Sequence, residues 1–413
     1  MIQHFKSLVF TDTGRDTSIV FVGSFLNVVA GGLFFILVPR ILGPANYGLF
    51  SVVIATEVLA VRLTSLGIET GILRFASLQS KNANAILTIA LKTYLLLGLL
   101  VALIGLFITQ SLANFLGYPQ ISQLLQIAFL ATVFFHLTNF FVAALQARSE
   151  FLKASIPLIA NNLTRLFLLA IGAYLFTLGL YFVTLIYFAV TIVSTLIGKY
   201  FLRFKIEKTD KGLLADFFKF NVWVYLALIV SSIPFDNYFL LKLAGPTQTG
   251  FYAAPLKVLT FSYEFGGNFT RVLASRFVSF DTAAKAKSFA IKAFIFPILF
   301  IFSLIILIAI SRPLIELLFG LKYLEAVQVL RILSLGFIFF FASTIPSSII
   351  LYYFGKSNIS FIITAARYSL MVVLLGFLVP SQKAIGAAWA FTASELLSFF
   401  LITTYVIFKF QRS

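Results

Sequence analysis

The sequence predicts an all-α integral membrane protein, with twelve transmembrane helices in two pseudo-symmetric six-helix lobes around a central cavity. Three observations carry that prediction. The 413 residues are 61% hydrophobic and only 11% charged, whereas a soluble domain is roughly 45–50% apolar and about 25% charged. The apolar residues gather in runs close to the ~20 that a helix needs to cross hydrocarbon. One turn is also written twice. "ILGPANYGLF" at 41–50 returns as "LAGPTQTGFY" at 243–252, with Gly43, Pro44 and Gly48 recurring as Gly245, Pro246 and Gly250.

In chain order the first six spans read at 19–38, 45–67, 85–109, 120–146, 154–177 and 180–201. The second six read at 220–243, 250–270, 288–310, 328–353, 358–379 and 385–408. Gly- and Pro-bearing turns stand between neighbours: "GPANYG" after the first, "FLGYPQ" after the third, "TLGLY" after the fifth, "AGPTQTG" after the seventh and "VPSQKAIG" after the eleventh. Gly43 suits the positive-φ, left-handed backbone that ends a helix, Pro44 the first position of the next, and Gly48 a close helix–helix approach. The longest polar stretch, "RFKIEKTDKGLLADFFK" at 203–219, is too short for a soluble domain. It reads as the linker between an N-terminal lobe, 1–208, and a C-terminal lobe, 209–413. Residues 1–18 carry no cleavable-signal pattern.

Orientation follows from the basic residues. With the N-terminus inside, eighteen of the 31 Lys and Arg fall in cytoplasmic segments, and five (Arg40, Lys242, Arg312, Lys322 and Lys383) fall in outer loops. Both termini are therefore expected in the cytoplasm. The net charge of +17 is then mostly topology, and no nucleic-acid partner is expected. With no cysteine and only His4 and His136 as histidines, disulfides, thiolate metal sites and a histidine metal cluster are excluded.

The repeat extends past the turn at the same shift of 202 residues. Arg74-Phe75 faces Arg276-Phe277, and Arg165 faces Arg367. Six helices per copy is an even number, so the copies are parallel repeats, with the substrate site expected between them near the midplane.

"R-I-L-G-P-x-x-Y-G" after the first span and "L-R-F" after the second resemble the Wzx-type polysaccharide and O-antigen flippases. These form the polysaccharide branch of the multidrug/oligosaccharidyl-lipid/polysaccharide exporter superfamily. The resemblance implies a V-shaped fold like that of the multidrug exporters, in the inner or plasma membrane. It implies a flippase that moves a lipid-diphosphate-linked oligosaccharide to the outer leaflet by alternating access, for surface polysaccharide synthesis. A lipid-linked anionic glycan, membrane lipid, a glycan polymerase and other assembly proteins are the implied partners. Two alternatives stand beside it: a multidrug or cation exporter of the same superfamily, and a membrane enzyme of polysaccharide assembly such as a polymerase or ligase. No ATPase-type phosphate loop, His-Glu-x-x-His motif or nucleophile elbow occurs, so a transporter rather than an enzyme is expected, without a cofactor.

Charges inside spans are expensive and mark function or pairing. Lys92, Lys199, Lys292 and Arg331 lie near span ends, where a long side chain can snorkel to the interface. The deeper cations, Arg62, Arg165, Lys257 and Arg367, are the candidates to grip a pyrophosphate; Arg165 and Arg367 could instead brace their own lobes. Arg62 and Glu69 are seven apart, about two helical turns, and so are Glu264 and Arg271, their copies with signs reversed. Two interlobe salt bridges are expected, Arg62–Glu264 and Glu69–Arg271, latching a cytoplasmic gate. Asp236 and Lys257 lie at similar depth on adjacent spans. They read either as an ion pair holding that hairpin, or as a coupling carboxylate for H+ or Na+ beside a phosphate ligand. Glu57 is a second coupling candidate. Glu395, on the last span, reads as a structural pairing, and His136 as a core histidine.

Overall fold

The computed structural model describes residues 12–76, 82–208, 211–230, 233–278, 280 and 282–412. Among them there is no β-strand. Eight helical stretches among the described residues are long and apolar enough to cross a membrane, and the chain is a multi-pass membrane protein. Helix α1, Asp12–Thr64, is interrupted at Gly43, where φ is 70° and ψ is 171°. That backbone clashes with a β-carbon, so glycine alone adopts it freely. Pro44 then opens the continuing helix, where its missing N–H removes no bond. The break and its positive φ match the expectation; the ψ is extended rather than helical.

The second span does not run through. After Thr64, Leu66 and Gly67 take φ of 46° and 68°, and a separate helix, α2, covers Ile68–Phe75. Ser65 turns back on the end of α1, its N–H and hydroxyl both donating to the carbonyl of Arg62 at 3.4 and 3.1 Å. A side-chain hydroxyl competing for a helical carbonyl, followed by glycine, stops a helix. The expectation that Arg62 and Glu69 share one continuous helical face is therefore corrected.

Helices α3 (Ala83–Leu116) and α4 (Ser122–Ala147) follow, joined through a 3₁₀ turn at Pro119–Ile121. Next come α5 (Phe151–Leu175), then α6 (Leu180–Ala189) and α7 (Thr191–Phe201), which are parted by a break at Val190. The second half brings α8 (Lys211–Val230), α9 (Phe235–Ala244) and α10 (Pro246–Val278). Gly245, between α9 and α10, repeats the positive φ of Gly43 at 85°. Then come α11 (Ala283–Ala293), α12 (Ile295–Ala309) and α13 (Ser311–Phe319), and a 3₁₀ turn at Leu321–Tyr323 that repeats Pro119–Ile121 at the 202-residue shift. Helix α14, Ala326–Ser348, continues into a π-helical turn, and α15, Ser357–Gln411, is interrupted at Lys383.

The chain forms two compact units, Met1–Phe35 with Val53–Pro234, and Ile36–Val52 with Phe235–Ser413. The cut expected at 208/209 divides the copies of the repeat; the units divide the contacts, and the two divisions differ at two segments. Helix α8 joins the first unit, because Asn221 faces Gly71 so closely that a β-carbon there would fall 2.5 Å from the amide oxygen. Phe217 of α8 also enters the core of Ile68, Ile72, Ile86, Tyr94 and Phe140. The stretch Ile36–Val52 joins the second unit through the doubled turn itself. A β-carbon on Gly48 would lie 1.9 Å from the carbonyl oxygen of Pro246, and one on Gly250 would lie 2.0 Å from that of Pro44. The two helices touch backbone to backbone, as small residues allow in lipid.

Outward faces are apolar. On α3 the stripe Leu96, Leu99, Leu103 and Phe107 is exposed, Phe107 at 81%. On α12 the same spacing exposes Ile295, Ile298, Phe302 and Ile306. Surface of this kind needs lipid as its solvent.

Candidate functional site

In the first unit the charges meet inside. Arg165 leaves the middle of α5 and is only 5% exposed. Its Nε donates to the carbonyl of Tyr187 at 3.1 Å, and its Nη1 makes a longer contact, 3.4 Å, with Asn162 Oδ1. Tyr187 lies one turn before the break at Val190, at the end of its helix. The guanidinium lies 3.9 Å from the Tyr187 ring centroid, a cation–π distance. Asn162 is in turn tied to Asn27 at 2.8 Å. Glu57, 2% exposed, lies within electrostatic reach of both Arg165 and Arg62. Arg165 Nη2 is buried without a hydrogen-bond partner among the described residues. Arg165 thus braces its own unit, whereas Arg62 is exposed near the end of α1.

A second polar group lies beyond the break. Glu69 accepts from Asn139 Nδ2 at 3.2 Å. His136, fully buried, stacks on Tyr94 at 4.6 Å and shares a hydrogen bond with Thr64 at 2.8 Å, which makes it a core histidine with one nitrogen engaged. The side chains of Glu264 and Arg271 fall outside the described residues, so the two expected latch pairs have one member each in view.

In the second unit Arg367 makes an ion pair with Glu395, across α15 and its continuation beyond Lys383. Its guanidinium lies 4.4 Å from the Tyr368 ring. Glu395 is 3% exposed, and its reading as a structural pairing agrees with this geometry. Asp236, in the first turn of α9, accepts from the Tyr252 hydroxyl at 2.8 Å and from the Asn237 N–H at 2.9 Å. The Tyr252 hydroxyl thus ties α10 to α9 at this carboxylate, whereas the sequence offers Lys257 either as an ion-pair partner there or as a phosphate ligand. Lys257 is half-buried on α10. The amide and hydroxyl groups that complete these sites, Asn162, Asn139 and Tyr252, escaped the sequence reading because nothing in a neutral side chain flags it within an apolar run.

A cavity of about 670 Å³ opens in the second unit, lined by Gln248, Arg312, Glu325, Gln328, Arg331 and Lys383 among others. Sequence reasoning treated Arg331 as a snorkelling cation and Arg312 and Lys383 as loop charges. Their convergence is visible only once α13, α14 and the break in α15 are placed.

Solved transporters share this fold. An inward-facing multidrug transporter of the MATE family, in the MOP superfamily, is similar over 94% of this chain and 94% of its own, with a TM-score of 0.77 at 13% identity. The lipid II flippase MurJ, inward closed, is similar over 94% of this chain and 87% of its own, with a TM-score of 0.77 at 16% identity. The class is therefore a multi-pass membrane protein with the MOP transporter fold. The family model for polysaccharide biosynthesis proteins matches residues 13–262, and the chain belongs to that family. A Shigella flexneri protein provisionally named as an O-antigen transporter is 25% identical over 219 residues. That alignment takes in 51% of this chain and 52% of the relative, so the chain matches about half the length of the curated relative. The resemblance to Wzx-type flippases drawn from the turn motifs agrees with all three.

Proposed function

We propose that this protein is a flippase that carries a lipid-diphosphate-linked oligosaccharide from the cytoplasmic to the outer leaflet by alternating access, for surface polysaccharide synthesis. The observation that carries the reading is membership of the polysaccharide biosynthesis family on a transporter fold. In this reading the chain has twelve spans in two lobes and sits in the inner or plasma membrane with both termini cytoplasmic. It needs no cofactor and hands its glycan to a polymerase and other assembly proteins. Arg62 and Lys257 are the cations that meet the diphosphate, while Arg165 and Arg367 serve mainly to hold their helices. Asp236 and Glu57 are the carboxylates through which H+ or Na+ couples, since buried intramembrane acids commonly relay charge.

A multidrug exporter of the same superfamily is the second reading, favoured by the likeness to the MATE fold. The test separates the two. Cells lacking this protein should lose surface glycan and accumulate labelled lipid-linked sugar on the cytoplasmic leaflet, with unchanged sensitivity to cationic drugs. Normal surface glycan with raised drug sensitivity reverses the assignment.

A further inference from the structure

The cavity in the second unit is lined by three cations, and nothing in the transport reading uses it. Two of its three cations have a polar contact at Nε. Arg312 Nε is paired with Glu316 at 2.9 Å, and Arg331 Nε donates to Ser311 Oγ at 2.7 Å. In both residues the terminal guanidinium nitrogens, the ones that grip oxyanions in a fork, have no protein partner among the described residues. Gln248 acts as a strut: its Nε2 donates to Glu325 at 3.3 Å, and its Oε1 accepts the N–H of Ala384, also at 3.3 Å. Glu325, the acid that also lines the cavity, accepts one bond from that strut and is exposed to solvent, against three cations in the same lining. Lys383, beside that strut, holds a φ of 53° and a ψ of −129°. A β-carbon makes this backbone strained, and such strain persists where the surroundings enforce it.

The first copy of the repeat lacks these cations. At the 202-residue shift Arg312, Arg331 and Lys383 correspond to Gln110, Phe129 and Tyr181. Phe129 is buried and packs against Gly105, where a β-carbon would fall 2.4 Å from it. One copy fills the position with a ring; the other leaves a space lined by cations. The repeat fold thus forms without the cations, which points to a ligand as their reason.

We propose that this cavity binds a saccharide bearing an oxyanion, either a carboxylate or a phosphate. Arg312, Arg331 and Lys383 take the anion, Gln328 and Gln382 the hydroxyls, and Leu324 and Ile385 the apolar face of the ring. The basic-residue count puts these loops on the outer side, so the cavity receives the glycan head after it has crossed. The assignment rests on the flippase reading for its ligand class.

The test uses the full chain in lipid nanodiscs, titrated calorimetrically with a glucuronate-containing hyaluronan tetrasaccharide and with glucose 1-phosphate. Maltotetraose and inorganic phosphate are the controls. One or both acidic sugars should bind saturably, and both controls roughly tenfold or more weaker. The Arg312→Gln, Arg331→Gln double variant should weaken binding about tenfold or more at unchanged melting temperature. Lys383→Gly should weaken it while the melting temperature holds or rises, a combination that a purely structural lysine would not produce. No saturable binding of either acidic sugar, binding that survives the double variant, or inorganic phosphate binding as tightly as the sugars each overturn the proposal. Surface glycan that stays normal on deletion, with this binding intact, instead overturns the flippase reading and leaves the site standing.

Discussion

Arg165 and Arg367 occupy the same position in two copies of one sequence, yet they are satisfied differently. Arg367 has a carboxylate in direct contact, Glu395. Arg165 has a carbonyl, an aromatic face and an amide, with Glu57 in reach but not bonded in the described geometry. Neither acid has a counterpart at the 202-residue shift, where Leu259 and Val193 stand. The cation within a span is common to the copies, and each copy supplies the nearby acid from a different helix. What the duplication keeps is the need to neutralise the cation; the means were found separately.

Four sets of substitutions test that contrast and the packing around it, in order of expected effect. Glu395→Leu removes the carboxylate from the Arg367–Glu395 ion pair, in which the acid is 3% exposed and the arginine side chain 20%, and should cost about 3–5 kcal/mol in thermal unfolding of the detergent-solubilised protein. Adding Arg367→Met should restore most of the loss, because a well-packed apolar pair replaces a buried ion pair at little cost. Gly48→Ala and Gly250→Ala should each cost about 3 kcal/mol, since either methyl meets a backbone carbonyl that cannot rotate away. Equal losses support the reciprocal contact, and a large loss at only one position breaks it. Glu57→Gln should cost about 1–2 kcal/mol, less than Glu395→Leu, because Arg165 keeps its carbonyl and ring partners. A Glu57 loss as large as that of Glu395→Leu would erase the difference between the copies. Lys383→Gly should raise stability by about 1 kcal/mol through relief of its backbone.

The architecture was legible because lipid imposes long apolar runs and because turns in such a chain need glycine and proline. Gly43 and Gly245, the two 3₁₀ turns and the two arginines all stand where the repeat puts them. The break at Ser65–Gly67 was not legible. Ser65 and Gly67 lie inside an otherwise apolar run, and the signal, a hydroxyl turning onto the Arg62 carbonyl, is geometric. The copy of that segment lies within α10, which continues unbroken to Val278, so aligning the repeats suggested continuity where only one copy has it. The Arg367–Glu395 contact was hidden for the opposite reason: the repeat argument looks for mates at a fixed shift, and this acid has none. The cavity cations stand alone in the sequence, at a span end or in a loop, and only the fold brings α13, α14 and the break in α15 together.

The contact at Gly48 and Gly250 has a consequence for how the gene can change. Gly48 meets the carbonyl of Pro246, and Gly250 meets that of Pro44, the arrangement two identical chains make across a two-fold axis. Each turn is the receptor for the other. A side chain at either glycine displaces the backbone of the other turn, and no change confined to one copy can make room for it. In a saturation scan these two positions should therefore reject every residue, singly or together, while their exposed neighbours Ala45 and Thr247 tolerate exchange.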